Sequence, residues 1–325
     1  MLAIISRFLR IYFLGLLFLI VGLSGCDIKP KKPLRVGTNV WIGYETLYLA
    51  RNLGYLESTP IKLIELPSAT DVSRAFRNHM LEVAALTLDE TLSLLQTESD
   101  IRVILVMDIS NGADTLIAQS GIDSLAKLKG KSVGVENTAV GAILLDGALS
   151  AARLQPADIK IIPLTADKHL QAFIDKKIDA VVSFEPVKQQ LLSLGGRELF
   201  NSAQIPGRII DILITREAII QQRSNALKQL LSAYFKALQY LHKHPKKSAA
   251  IIAPRLNLNK QQVLPLYNQI SIPDLKQNLI WLQRDHARLL SLSKQLTQLM
   301  LEKNLLYKEI DFSLLPDESL LSHHP

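Results

Sequence analysis

The sequence predicts an α/β protein of two lobes joined by a two-crossing hinge, completed by a helical C-terminal region. Three observations predict it. Short apolar, β-branched runs alternate with helical patterns from Leu34 to Thr215, the mark of mainly parallel sheets covered by helices. The alternation restarts after Gly121, which divides it into two series. No strand-like segment follows Thr215, so the closing helices must pack on a sheet already formed.

In the first series the strands are expected at Leu34–Thr38, Ile61–Leu66, Val83–Leu86 and Ile101–Met107, with helices at Glu45–Asn52, Asp71–His79 and Leu88–Gln96. Thr115–Ala118 reads as a further strand. The second series has strands at Ser132–Val135, Ile159–Leu164, Ala180–Phe184 and Ile209–Thr215, and helices at Ala139–Leu154 and Lys168–Asp175. In the tail, Leu227, Leu230, Leu231, Tyr234, Leu238 and Leu241 fall at helical spacing. The expected division is residues 34–118 with 215–310 in lobe 1, 119–214 in lobe 2, and a tail at 311–325. Crossings are then expected near Ala118–Ile122 and Ile212–Arg216, a hinge design.

The chain has 325 residues, 48% hydrophobic and 21% charged, ample for a sizeable core. The net charge of +7 is scattered, and no block of Lys and Arg is interleaved with aromatics, so no nucleic-acid partner is expected. The start of the chain says more. Arg7 and Arg10 precede the apolar run Ile11–Gly22, and Leu23-Ser-Gly-Cys26 follows. The run is short for a membrane span of about 20 residues. The pattern resembles a bacterial lipoprotein signal: residues 1–25 are cleaved, Cys26 is lipidated, and 26–33 form a tether. Cys26 is the single cysteine of the chain, so an internal disulfide is excluded. Asp27 resembles the signal for retention at the inner membrane, which implies a lipid anchor on its periplasmic side, or on the cell surface where there is one membrane.

Val40-Trp-Ile-Gly-Tyr44, Val83-Ala-Ala-Leu-Thr-Leu-Asp-Glu90, Ser110-Asn-Gly-Ala-Asp114, Leu128-Lys-Gly-Lys-Ser-Val-Gly-Val135 and Ile178–Pro186 occur in one order. Together they resemble the nitrate/sulfonate/taurine/thiamine-precursor (NMT1/THI5-like) family of solute-binding proteins. The resemblance implies a type II periplasmic-binding-protein fold that holds a small-molecule solute in the cleft between its lobes. It also implies a monomer that delivers the solute to an ABC permease and ATPase, with no cofactor and no catalysis.

The residues themselves point to the same cleft. Between two apolar runs, Asp108–Asp114 is a polar stretch in which Ser110, Asn111, Gly112 and Asp114 lie just beyond a strand's carboxyl end, where α/β sheets bind ligands. Trp41 and Tyr44 follow the first strand, where they either stack on a planar solute or belong to the core. Thr87 and Asp89 open a helix, where Asp89 caps or binds; Glu90 is expected to be solvated. Asn137 and Thr138 precede a helix whose free amides attract anionic or carbonyl groups. Glu185 ends a strand before Pro186, and Asp211 lies by the second crossing, where a hinge role competes with binding.

Asp89, Asp114, Glu185 and Asp211 make this set acidic, which favours an amino-bearing or heteroaromatic solute, such as a pyrimidine precursor, over an anion. The alternatives are an anion binder of the same family, a ligand-sensing lipoprotein, and a pyrimidine-synthesising enzyme of the same fold. Gly130-Lys-Ser132 resembles the end of a phosphate-binding loop, but Leu125 stands where that loop needs glycine. No metal site is expected: His242 and His244 sit at the end of an amphipathic helix and read as solvated surface.

Overall fold

The structure is a computed structural model that describes residues 32–283 and 288–321. The expected signal, the lipidated Cys26 and most of the tether lie outside the described residues. Among the described residues no helix is long and apolar enough to cross a membrane.

Two mixed sheets form the body. The first contains β1 (Leu34–Thr38), β2 (Ile61–Glu65), β3 (Val83–Thr87), β4 (Ile101–Ser110), β10 (Ile210–Arg216) and the short β11 (Ile270–Ser271), in the order β11-β4-β10-β3-β1-β2. The second contains β5 (Asp114–Ala118), β6 (Ser132–Val135), β7 (Lys160–Pro163), β8 (Ala180–Phe184) and β9 (Arg197–Asn201), in the order β7-β6-β8-β5-β9. The sheets are less parallel than expected. β1 runs parallel to β2 and β3, and β6 parallel to β7 and β8. β10 is antiparallel to β3 and β4, and β5 antiparallel to β8 and β9.

Those two antiparallel strands follow directly from the crossings. The chain leaves β4 and enters β5 across Asn111–Ala113, and returns from β9 to β10 across residues 202–209. Both crossings fall earlier than expected, because Thr115–Ala118 pairs in the second sheet and Ile210–Arg216 in the first. Apolar runs cannot tell which sheet a strand joins, since both interiors demand the same residues.

In the first sheet, β3 leads into α3 (Leu88–Leu94), and α2 (Ala69–Arg77) and α1 (Glu45–Asn52) follow β2 and β1. In the second, α4 (Ala139–Ala151), α5 (His169–Ile174) and α6 (Val187–Ser193) cover the strands. α6 and β9 had no clear periodic signal.

The C-terminal helices, α7 (Glu217–Lys243), α8 (Pro245–Ile252), α9 (Lys260–Tyr267), α10 (Leu275–Leu282) and α11 (Arg288–Glu302), return to the first sheet. Their task is visible at β4, whose outer edge would otherwise expose unpaired backbone groups. β11 pairs with Ile109 and Ser110, a strand after Thr215 that the sequence did not suggest. In α10 the Asn278 side chain accepts from the Val106 amide (2.7 Å) and donates to its carbonyl (3.1 Å). Lower down, Val103 bonds to Leu315 and Asp317 (2.7 and 2.9 Å). Residues 311–321 of the expected tail therefore pack along the first sheet's edge, with Leu315, Leu320 and Leu321 buried.

Candidate functional site

Where the two sheets face each other, the turn Ile42–Tyr44, the ends of β3 and β8 and the starts of β5 and β10 converge on one small cavity. Asn39, Trp41, Tyr44, Thr87, Glu90, Asp114, Phe184 and Asp211 supply its wall, with Ala69 and Val140. Its volume is about 30 Å³, room for water alone. Larger openings flank it, of about 570 Å³ on the side of Arg74, Asn137 and Thr138, and about 440 Å³ on the side of Arg255. The first shares Ala69 and Glu90 with the cavity and the second shares Asn39 and Phe184, so the cleft is continuous. The central space is the candidate site because the polar groups converge there, although the openings are wider.

The local folding of this wall follows from its sequence. Asp108 stands opposite Asp211 in the β4–β10 ladder, and the register shifts beside them so that Met107 is skipped. Such a bulge re-aims side chains near a site. The Trp41 indole donates from Nε1 to Asp108 Oδ2 at 3.0 Å, and its ring meets Phe184 edge to face at 5.7 Å. The Tyr44 hydroxyl donates to Asp211 Oδ1 at 2.5 Å. Gly43 makes this packing possible: a Cβ there would lie 1.7 Å from Asp108 Oδ2 and 2.7 Å from Trp41 Nε1. Both aromatic rings are thus buried and anchored, with one side on the cavity.

The electrostatics are one-sided. Glu90, Asp114 and Asp211 line the cavity and no Lys or Arg does. Burial, then the charge of Asp89, pushes Glu90 up to about 8. Burial pushes Asp108 up to about 7, against the Trp41 hydrogen bond. Asp114 rises to about 6 through burial, held back by the Ser110 hydroxyl and the field of Lys188. Asp211 is pushed well above the carboxylate range by burial and by Asp108. Glu90 Oε1 and Asp114 Oδ2 are buried with no hydrogen-bond partner.

The expected site residues divide into three groups. Trp41, Tyr44, Thr87, Asp114 and Asp211 come together at the cavity. Ser110, Asn111, Gly112 and Glu185 instead build the crossings. Ser110 Oγ meets Ser202 Oγ at 2.7 Å, Ser202 Oγ accepts from the Gly112 amide at 2.6 Å, and the Asn111 amide donates to the Gln269 carbonyl at 2.8 Å. Lys188 donates to the Gly112 carbonyl (2.9 Å) and Gln269 Oε1 (2.8 Å) and pairs with Glu198. Glu185 Oε1 accepts from Gln269 and Gln189 at 3.0 and 3.2 Å. Asn137 and Thr138 border the larger opening, and Asp89 is buried behind Glu90 without lining the cavity.

Glu90 corrects its expected solvated role: it is 6% exposed, and its Oε2 accepts from the Thr87 amide at 3.1 Å. Asp108, Asn39 and Phe184 were missed. For Asp108 a signal existed, a carboxylate directly after the apolar run Val103–Met107.

Two α/β lobes with two crossings and a central cleft define a periplasmic-binding-protein type of fold. Solved structures of this fold agree over most of the chain. The alkanesulfonate-binding protein SsuA of Xanthomonas axonopodis pv. citri, bound to MOPS, superposes with a TM-score of 0.70 at 17% identity, covering 90% of this chain and 96% of that one. The ligand-binding component of an ABC-type import system of Staphylococcus aureus, with zinc bound, gives 0.74 at 15% identity, covering 90% and 99%. Residues 42–248, more than half of the chain, match the NMT1/THI5 like family, and the chain belongs to it. A Brucella abortus (strain 2308) protein described as a binding protein is 28% identical over 156 residues, 46% of this chain and 48% of that protein. The chain thus spans about half the length of the curated relatives it matches.

Proposed function

We propose that this protein is the solute-binding component of an ABC importer. It closes its lobes on a small amino-bearing or heteroaromatic solute and hands it to a membrane permease driven by its ATPase. Lipid on Cys26 tethers it at the periplasmic face of the membrane, as a monomer that performs no chemistry. Family membership and fold support the binding role. The observation that carries the solute class is the cavity wall, where three aromatic rings meet three carboxyl groups with no cation among them. An unpaired buried carboxylate is costly, and an amino group is the partner that removes the cost. A cavity of about 30 Å³ admits a solute only as the lobes part, which suits a protein that closes on its cargo.

The test is a thermal-shift screen of amines, aminopyrimidines, polyamines, sulfonates, nitrate and bicarbonate. Ligand at 100 times its dissociation constant stabilises by about 2.7 kcal/mol, a shift of several degrees. A hit among amino compounds that weakens at least tenfold in both Trp41→Ala and Asp114→Ala, about 1.4 kcal/mol, is the expected result. Hits confined to anions would overturn the solute class, and unchanged affinity in both variants would overturn the site.

A further inference from the structure

We propose that the central cavity is an exchange site: a cationic solute replaces protons held by the buried carboxyls, so binding expels protons and acid expels the solute. This rests on the reading of the cleft as the solute site and adds its regulation. The carboxyls reach the site from four elements. Glu90 comes from α3, Asp114 from the start of β5, Asp211 from β10, and Asp108 from β4 directly across the ladder from Asp211. Glu90 and Asp114 line the cavity at 6% and 7% exposure, each with one oxygen that has no hydrogen-bond partner.

The groups facing this cluster do not neutralise it. From α3 Asp89 adds negative charge behind Glu90, and from the segment before α4 Glu136 adds more. Tyr44 donates to Asp211, and Tyr234 of α7 and Tyr267 of α9 lie within the field of Asp108. The one opposing field recorded at Asp114 is that of Lys188 on α6, and its ammonium is already engaged by Glu198, Gln269 and the Gly112 carbonyl. Like charges in a dry site cannot all ionise, so protons remain on some of them near neutral pH. Of Asp114, Asp108 and Glu90, Asp114 is the one that the field of this ammonium holds down.

A solute cation supplies the missing counter-charge. Its arrival favours the ionised carboxyls, and by linkage the protons they held leave for solvent. No bond is made or broken apart from O–H, and charge balances as cation in, protons out. A neutral solute of the same shape triggers no exchange.

The experiment follows the side-chain carboxyls by carbon-13 NMR in the ligand-free protein and with benzylammonium, a probe protonated throughout the range. Without the probe, several carboxyls should titrate between about pH 6 and 8, and Glu90→Gln should remove one of those midpoints. The probe should move the midpoints downward, and its affinity should rise by about tenfold per pH unit for each proton displaced. Benzyl alcohol should leave the midpoints in place. If every carboxyl titrates below about pH 5 while benzylammonium still raises the melting temperature, the exchange is overturned and the solute reading stands. Neutral midpoints that saturating benzylammonium neither moves nor accompanies with a thermal shift overturn the cationic-solute reading itself.

Discussion

The hinge and the central cavity adjoin each other and are made of similar residues, but, Glu185 Oε2 apart, they treat their polar groups in opposite ways. At the hinge, Lys188, Gln269, Ser110 and Ser202 answer one another, and each engages a backbone or side-chain partner from a different element. At the cavity, carboxyls crowd without a cation and keep free oxygens. A satisfied polar network rigidifies, whereas an unsatisfied one stores free energy that a ligand can release. On the proposed function, the difference separates parts that hold the molecule together from parts that wait for a partner.

Gly43→Ala should break this division most severely, because the new Cβ drives into Asp108 and Trp41 at the cavity floor. Overpacking costs about 1–3 kcal/mol, and loss of a hydrogen bond to a charged group about 1.5–3 more. Denaturant unfolding should show a loss of about 2.5–6 kcal/mol on that reckoning, with changed fluorescence from Trp41. A wild-type midpoint would mean that the turn has slack to spare.

Lys188→Met should act first on the hinge, while also removing the field that holds down the Asp114 carboxyl. It removes the donor to the Gly112 carbonyl and Gln269 and leaves Glu198, itself partly solvated, without its ion pair. A cost of about 2–3 kcal/mol is expected, read as a melting temperature several degrees lower. If it instead stabilises the protein, the hinge network is not a satisfied one.

Asp211→Asn tests the cavity by pH. A carboxyl whose folded pKa lies above its unfolded value holds more protons folded than unfolded between the two values. Its contribution to stability is full below the unfolded value and is lost as pH rises through the folded one. Asp114 at about 6, Asp108 at about 7 and Glu90 at about 8 set that loss between about pH 4 and 8. The ligand-free protein should therefore melt highest near the acid end and lower towards pH 8. Asp211→Asn, which removes a carboxyl kept protonated by burial and by Asp108, should flatten the slope. A melting temperature that rises towards neutrality would refute the cluster's unpaired character.

The same contrast explains what the sequence disclosed. Alternating apolar runs located nine of the strands close to their observed positions, because buried strands require such runs whatever sheet they join. The sheet assignment of β5 and β10 was not legible, since it depends on pairing across some hundred residues. Ser110, Asn111 and Gly112 looked like a ligand loop because polar residues and a glycine suit a hinge as well as a site. Gly112 has φ +114°, and Ser110 meets Ser202, a partner 92 positions away that no local pattern marks. Asp114 was legible from its polar loop beside one expected crossing, and Asp211 from its place beside the other. Glu90 was not, since a carboxylate in the first turn of a helix is ordinary on any surface.

The smallest expected effect lies between the two regions. The lobes touch across the cleft through Thr70 at the start of α2 and Glu136 before α4. Glu136 Oε1 accepts from the Thr70 hydroxyl at 2.6 Å and from its amide at 3.0 Å. Neither residue supports the hinge, so this contact sets how firmly the lobes shut and not where they pivot. Thr70→Val keeps the amide bond and deletes the hydroxyl one, so unfolding stability should change by less than about 0.5 kcal/mol. The closed form loses about 1 kcal/mol relative to the open one, because the bond exists in the closed form alone. Solute affinity should fall by up to about fivefold, the equivalent of that amount, and Thr70→Ser should restore it. X-ray scattering should report a larger radius of gyration for ligand-free Thr70→Val. Wild-type scattering together with wild-type affinity would leave the hinge network, and not this contact, as what holds the cleft closed.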